Sequence, residues 1–199
     1  MAKQKQSGKS QSGRLRIVAG NWRSRLLDIA RVEGLRPTSE RIRETLFNWL
    51  VPSIHGSRCL DLYAGTGALG LEALSRGAAS AVFVERSGLA ARQLEKNVEV
   101  LKAGKATVLH QDALDYLNSN PSMTFDIVFL DPPFAADLLD ETCRLLAQQQ
   151  LLAEGALIYL ELDRSKAEPE LPDGWRVQKN KTAGNVRYML VQVRGSDEQ

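Results

Sequence analysis

The sequence predicts a three-layer α/β fold, a seven-stranded sheet flanked by helices, with a small hairpin and helix ahead of it. Three observations carry this expectation. From Ser57 onward, short apolar runs alternate with helical patterns, and such alternation builds parallel βαβ units. The first run ends in Asp61 and turns through Tyr63-Ala64-Gly65-Thr66-Gly67 into a helical segment, which reads as strand, small-residue loop, helix. The end of the chain carries two β-rich runs about Ala183-Gly184-Asn185, an antiparallel hairpin that closes the sheet edge.

Taken in order, residues 1–13 are Lys/Gln/Ser/Gly-rich and read as a disordered basic tail. Residues 15–19 alternate as a strand, Gly20-Asn21 supplies a turn, and residues 24–29 return as its partner. Thr38 is the expected N-cap of the next helix, where Ile42, Leu46 and Leu50 form an apolar stripe ended by Pro52. Residues 14–52 thus form an N-terminal extension and residues 53–194 the main domain, with residues 195–199 a tail. In that domain, strand 58–62 leads to a helix stopped by Gly77, and strand 81–84 ends in Glu85. A helix with Leu94, Val98 and Leu101 on one face is closed by Gly104. Strand 106–109 precedes Asp112, the expected N-cap of a short helix. Strand 125–130 runs into Asp131-Pro132-Pro133-Phe134, helix 138–148 follows, and strand 156–162 completes the parallel set.

A chain of 199 residues, 43% hydrophobic and 25% charged, suits one soluble domain with one sizeable core. No apolar run approaches the roughly 18 residues of a membrane span. The first residues have no apolar core of a secretory signal, so a cytoplasmic protein is expected. Cys59 and Cys143 read as reduced core thiols, and His55 and His110 are isolated, so no metal site is expected. The charge is uneven. Residues 1–43 hold 11 Lys/Arg against 3 acids, a balance of +8, while the remainder is acidic. A basic end on an acidic body is an electrostatic footprint for a polyanion. Its expected contacts are Arg16, Arg23, Arg25, Arg36, Arg41 and Arg43.

The glycine loop serves more than one cofactor. Gly65-Thr66-Gly67 with Gly70 also fits the dinucleotide fingerprint. Asp61 favours another ligand, since a carboxylate at the strand mouth repels a pyrophosphate but accepts hydrogen bonds from an ammonium. S-adenosylmethionine carries an ammonium and a sulfonium and no phosphate. In an open α/β sheet the ligand lies beyond the carboxyl ends of the strands. Four strands here end in or just before a carboxylate: Asp61, Glu85, Asp112 and Asp131. Glu85 suits the ribose hydroxyls, Asp112 the adenine amino group with the Ala113 amide on the ring, and Thr38 the methionine carboxylate.

Asp131-Pro132-Pro133-Phe134 is the most specific signal. Two prolines hold the preceding backbone extended and keep it out of a ladder. A carboxylate, a free carbonyl and an aromatic ring together suit a flat base bearing an exocyclic amine. Asp131 and the Pro132 carbonyl each accept one amino hydrogen while Phe134 stacks on the ring.

With both motifs at strand mouths, the chain resembles the class I S-adenosylmethionine-dependent methyltransferases, whose sheet is Rossmann-like. Arg16–Gly20, Gly34–Thr38, Arg41–Leu50 and Leu60–Arg76 resemble more closely the bacterial 16S rRNA guanine-N2 methyltransferases of the RsmD type. The resemblance spans about Arg14 to Val193. It implies methyl transfer to N2 of one guanine, position 966, in 16S rRNA of the assembling 30S subunit. A monomer without metal is expected. The alternative is a DNA adenine-N6 methyltransferase, which shares the four-residue signature, although this chain leaves no room for a DNA target-recognition domain. A dinucleotide-dependent oxidoreductase would leave Asp61 and the 131–134 signature unexplained.

Overall fold

The computed structural model describes residues 13–33, 35, 37–119, 121–133 and 137–194. The chain runs β1 (Arg14–Arg16), a 3-10 turn (Gly20–Trp22), β2 (Leu26–Asp28), α1 (Glu40–Leu50), β3 (Arg58–Asp61) and α2 (Ala68–Ser75). It continues β4 (Ser80–Glu85), α3 (Gly88–Leu101), β5 (Ala106–His110), α4 (Ala113–Asn118), β6 (Phe125–Leu130) and α5 (Leu139–Gln148). Last come β7 (Leu152–Asp163), β8 (Trp175–Ala183) and β9 (Val186–Val193).

The expected seven-stranded sheet is present, in the order β5-β4-β3-β6-β7-β9-β8. The first five strands are parallel, and β9 runs antiparallel to both of its neighbours. Sequence order reverses between β3 and β6, which opens a crevice above their carboxyl ends. Successive strand residues face opposite sides, so the sheet divides two cores. Cys59, Phe83, Ile127, Phe129 and Tyr159 pack on one side with residues of α1, α2 and α3. Leu60, Leu62, Val84, Val128, Leu130 and Ile158 pack on the other with residues of α4 and α5.

The N-terminal hairpin belongs to the first core, in which Leu15, Ile17 and Leu27 are buried. Its turn is a 3-10 turn at Gly20–Trp22 rather than a two-residue reversal. It docks on the end of α2, where the Trp22 amide donates to Ser75 Oγ at 3.0 Å. The α1 stripe Ile42, Leu46, Phe47 and Leu50 is buried as its spacing required. The N-cap of α1 is Ser39, not Thr38: the Ser39 hydroxyl accepts the Ile42 amide at 3.3 Å. Strand β7 begins four residues before the expected start, at Leu152, and its pairing with β6 slips between Phe125 and Ile127. Both cysteines are buried and unpaired, and burial pushes each thiol up to about 12. Among the described residues no helix is long and apolar enough to cross a membrane.

Candidate active site

Above the crevice lies a cleft of about 830 Å³. Its walls come from the carboxyl ends of β3, β4, β6 and β7, the start of α4 and the strap that precedes α1. Asp61, Tyr63, Ala64, Gly65, Thr66, Glu85, Asp112, Ala113, Thr38, Asp131, Pro132 and Pro133 all line it. Gly67 does not. It turns the chain behind the wall at φ +76°, a left-handed conformation that glycine adopts at no steric cost, and so starts α2. Gly70 serves a different need. A Cβ there would lie 2.3 Å from a ring carbon of Phe83, so its absence lets α2 press onto β4.

The loop is held by the carboxylates that the sequence singled out. Gly65 donates its amide to Glu85 Oε2 at 2.7 Å, and Glu85 Oε1 accepts the Ser87 amide at 2.6 Å. Each oxygen keeps a lone pair for a further donor. Asp61 Oδ2 accepts the Gly70 amide at 2.9 Å. Asp61 is buried, and its pKa is pushed up to about 7, chiefly by desolvation, with Asp131 and Glu85 adding and the Gly70 bond opposing. Asp112 Oδ1 caps α4 by accepting the Leu114 amide at 2.9 Å, so it holds a structural bond as well as a place on the wall. The Tyr63 hydroxyl is engaged with Thr142 at 2.6 Å.

Asp131 stands at the exit of β6. Burial raises its pKa to about 6, against the lowering effect of Thr38, whose hydroxyl donates to Asp131 Oδ2 at 3.1 Å. Thr38 is therefore tied to Asp131 rather than standing free for a cofactor carboxylate. Pro132 is buried and Pro133 exposed. Phe134 and Arg36 lie outside the described residues.

One residue escaped the sequence reading. Glu161, on β7, is buried and lines the same cleft. Burial raises its pKa to about 8 and the Asp131 charge adds to this, while a bond from the Tyr159 hydroxyl at 2.6 Å opposes it. The available signal was a lone carboxylate in the otherwise apolar run Leu157-Ile158-Tyr159-Leu160-Glu161-Leu162.

The cleft thus carries Asp61, Glu85, Asp131 and Glu161, and among the described residues none of them is ion-paired. Such a wall favours a cationic ligand, because an entering positive charge stabilises carboxylates that burial disfavours. These acceptors therefore fit the ammonium and sulfonium of S-adenosylmethionine and oppose a dinucleotide's pyrophosphate. Among the described residues no group of His, Cys, Asp and Glu has the makings of a metal site.

The arginines separate. Arg16, Arg23, Arg25 and Arg41 are exposed, with Arg16 beside Glu40 at 3.7 Å. Arg43 is not available to a polyanion. It is 1% exposed, paired with Glu72 at 3.2 Å, and donates to the carbonyls of Thr38 and Arg16. It occupies the buried face of α1 because Leu46, Phe47 and Leu50 lie three, four and seven residues on. Arg23 adjoins the 3-10 turn at the far end of α2, roughly 10 Å along that helix from the glycine loop at 1.5 Å per residue.

Comparison with known proteins agrees with this geometry. Residues 15–192 match the family model described as Conserved hypothetical protein 95. The chain is 46% identical to Ribosomal RNA small subunit methyltransferase D of Escherichia coli over 194 residues, 98% of each chain. The solved structure of yhhF from Escherichia coli superposes with a TM-score of 0.83 at 44% identity, covering 92% of this chain and 99% of that one. A Thermus thermophilus 16S rRNA N2 G1207 methyltransferase, solved with AdoMet and guanosine, shares the fold at a TM-score of 0.65 and 23% identity, covering 92% of this chain and 50% of that one. The strand order, the carboxylate-lined cleft and these likenesses converge: the chain belongs to the RsmD family of class I S-adenosylmethionine-dependent methyltransferases.

Proposed function

We propose that this protein methylates the exocyclic N2 amine of one guanine in small-subunit rRNA, position 966 being the site that the family resemblance implies. The observation that supports it most is the placement of Asp131-Pro132-Pro133 on the wall of the cofactor cleft, beside the glycine loop. Bound S-adenosylmethionine supplies an electrophilic methyl group on a sulfonium. Asp61, Glu85, Asp112 and the Ala113 amide hold that cofactor.

The amine lone pair of guanine is delocalised into the ring and attacks poorly. Asp131 and the Pro132 carbonyl each accept one amino hydrogen, which favours a pyramidal nitrogen and aims its lone pair at the methyl group. The gain is one of orientation and fixed electrostatics. Phe134 stacks on the base. The nitrogen becomes acidic once it carries the methyl group, and its proton leaves by way of Asp131 to water. Since N2 of a paired guanine lies against a groove floor, the target enters unpaired or swung out of its helix. Exposed Arg16, Arg23, Arg25 and Arg41, with Arg36, hold the surrounding phosphates. The enzyme acts as a monomer without metal, in the cytoplasm, on the 30S subunit or its assembly intermediate.

Mass spectrometry of 16S rRNA from cells lacking the gene tests this reading. One N2-methylguanine should vanish and return with the wild-type gene but not with Asp131→Ala. Purified Asp131→Ala should bind S-adenosylmethionine within a few-fold of wild type. An unchanged rRNA methylation pattern, or loss of a methyladenine instead, would overturn it.

A further inference from the structure

Glu161 stands where the proposed chemistry assigns no group. Strands β6 and β7 pair in register with Leu130 opposite Leu160, so the next residues, Asp131 and Glu161, sit side by side at the mouth of the cleft. Glu161 also lines a second cavity of about 280 Å³, which shares Pro132, Pro133 and Leu138 with the main cleft and is rimmed by Lys166 and Asp137. Glu161 therefore lies where the two cavities meet, beside the two prolines.

A structural role is a weak account of this carboxylate. The Tyr159 hydroxyl occupies Oε2, but a phenol needs no charged acceptor, and Phe beside an apolar residue would fill the same buried space. Placing a second buried carboxylate beside Asp131 costs stability: burial raises the pKa of Glu161, and the Asp131 charge raises it further. The arrangement becomes favourable when a ligand brings donors to both groups. Guanine does so, because N1–H and the N2 amine lie next to each other on one edge of the ring. Adenine and 2,6-diaminopurine present a lone pair at N1 instead.

We propose that Glu161 accepts the N1–H of the target guanine while Asp131 holds its N2 amine, so that this pair of carboxylates selects guanine over purines lacking the N1 proton. This rests on the reading of the protein as a guanine-N2 methyltransferase. A site built to hydrogen-bond an N–H rejects an analogue lacking it because its own buried group is left unpaired; above about pH 8, where Glu161 is ionised, two acceptors would face each other.

The test uses the full-length enzyme and 30S particles reconstituted with 16S rRNA carrying guanine or 2,6-diaminopurine at the methylated position. Both bases have the 2-amino group; they differ at N1 and at position 6, where guanine has an oxygen and diaminopurine an amine, so the Glu161→Gln arm separates a preference read at N1 from one read at position 6. At about pH 9, where Glu161 is ionised, wild type should methylate guanine on the order of 100-fold faster, measured as kcat/KM, and the preference should shrink as the pH falls below about 8. In Glu161→Gln the carboxamide can turn its NH₂ toward the diaminopurine N1, so the preference, a ratio at saturating S-adenosylmethionine, should collapse to a few-fold or reverse. Tyr159→Phe, which keeps the carboxylate, should retain the wild-type preference. Equal wild-type rates on the two bases overturn the proposal, without needing any variant to fold. So does a wild-type preference persisting in Glu161→Gln, or a preference lost equally in Tyr159→Phe. If wild type methylates neither base at N2 but modifies another nucleotide, the underlying functional reading fails, which is a different result from equal rates.

Discussion

Arg43 Nη1 and Glu72 Oε2 meet at 3.2 Å with both side chains out of water, and the same Glu72 accepts the amides of Val18 and Ala19. Arg76 holds the other oxygen at 2.8 Å and lies over the Phe47 ring. Through its Nε, Arg43 also grips the Thr38 carbonyl, and Thr38 in turn donates to Asp131. Burial lowers the Arg43 pKa against the raising influence of Glu72, yet the side chain stays charged. One buried cation thus joins the N-terminal hairpin, α1 and α2 and reaches Asp131 at the end of β6 through one intervening residue.

Arg43→Met should therefore be a folding variant. Removing one member of a buried pair costs about 3–5 kcal/mol, and because Arg76 remains on Glu72 the lower end is expected. Urea unfolding measures the loss, while the salt dependence of rRNA binding should stay as in wild type. A stable variant with a flatter salt slope would return Arg43 to the RNA surface.

Asp61→Ala and Glu85→Ala should each weaken S-adenosylmethionine binding about ten- to a hundred-fold, the worth of one charge-assisted hydrogen bond at about 1.5–3 kcal/mol. Both carboxylates also tie down loop or helix amides, so thermal unfolding must accompany calorimetry. Unchanged affinity in two well-folded variants would remove the assignment.

Stability should fall as pH rises. Asp61 and Asp131 titrate at about 7 and about 6 in the folded protein, against about 3.9 for an unfolded Asp. Between about pH 4 and 7 the folded state keeps protons that the unfolded chain has released, and ionisation then favours unfolding. Scanning calorimetry across this window should show a declining Tm for the cofactor-free protein and a flatter curve for Asp61→Asn. Parallel curves would mean that Asp61 is not held protonated by burial.

Thr38→Val removes the hydroxyl that lowers the Asp131 pKa. If Asp131 must be ionised to hold the amine, the acidic limb of the kcat/KM profile should move to higher pH. An unmoved limb would show that another group governs it.

Arg23→Ala combined with Arg25→Ala should weaken 30S association and flatten the slope of log affinity against log salt, since each engaged phosphate adds to that slope. S-adenosylmethionine affinity should stay the same. The rate at saturating 30S should also persist, because the turn beside Arg23 lies at the end of α2 remote from the glycine loop. An unchanged slope would place the RNA on some other surface.

The sheet and its strand-mouth carboxylates were legible because they depend on local pattern. Apolar runs of strand length end in Asp61, Glu85 and Asp131, and glycines fall where the turn needs them. Arg43 was misread because charge was counted by segment, whereas its fate follows from its place on the face of α1 beside Leu46 and Phe47. Thr38 and Ser39 both suit an N-cap, and only the packing of α1 assigns the cap to Ser39 and the Asp131 bond to Thr38. Glu161 was passed over inside an apolar strand, where its neighbour Asp131 is 30 positions away in sequence and adjacent only through β-pairing.

The Glu72 hub also fixes an order of events during synthesis. Val18 precedes its partner by 54 positions, so at about 5–20 residues per second the amide waits roughly 3–10 s for Glu72 to be made. During that interval β1 and β2 have each other and, once it is made, α1, and a two-stranded hairpin alone is marginal in water. Leu15, Ile17 and Leu27 share their core with α1 and α2, and that core stays incomplete until α2 arrives. The hairpin, made before α2, is thus secured only after it, and it closes over the helix that follows the glycine loop.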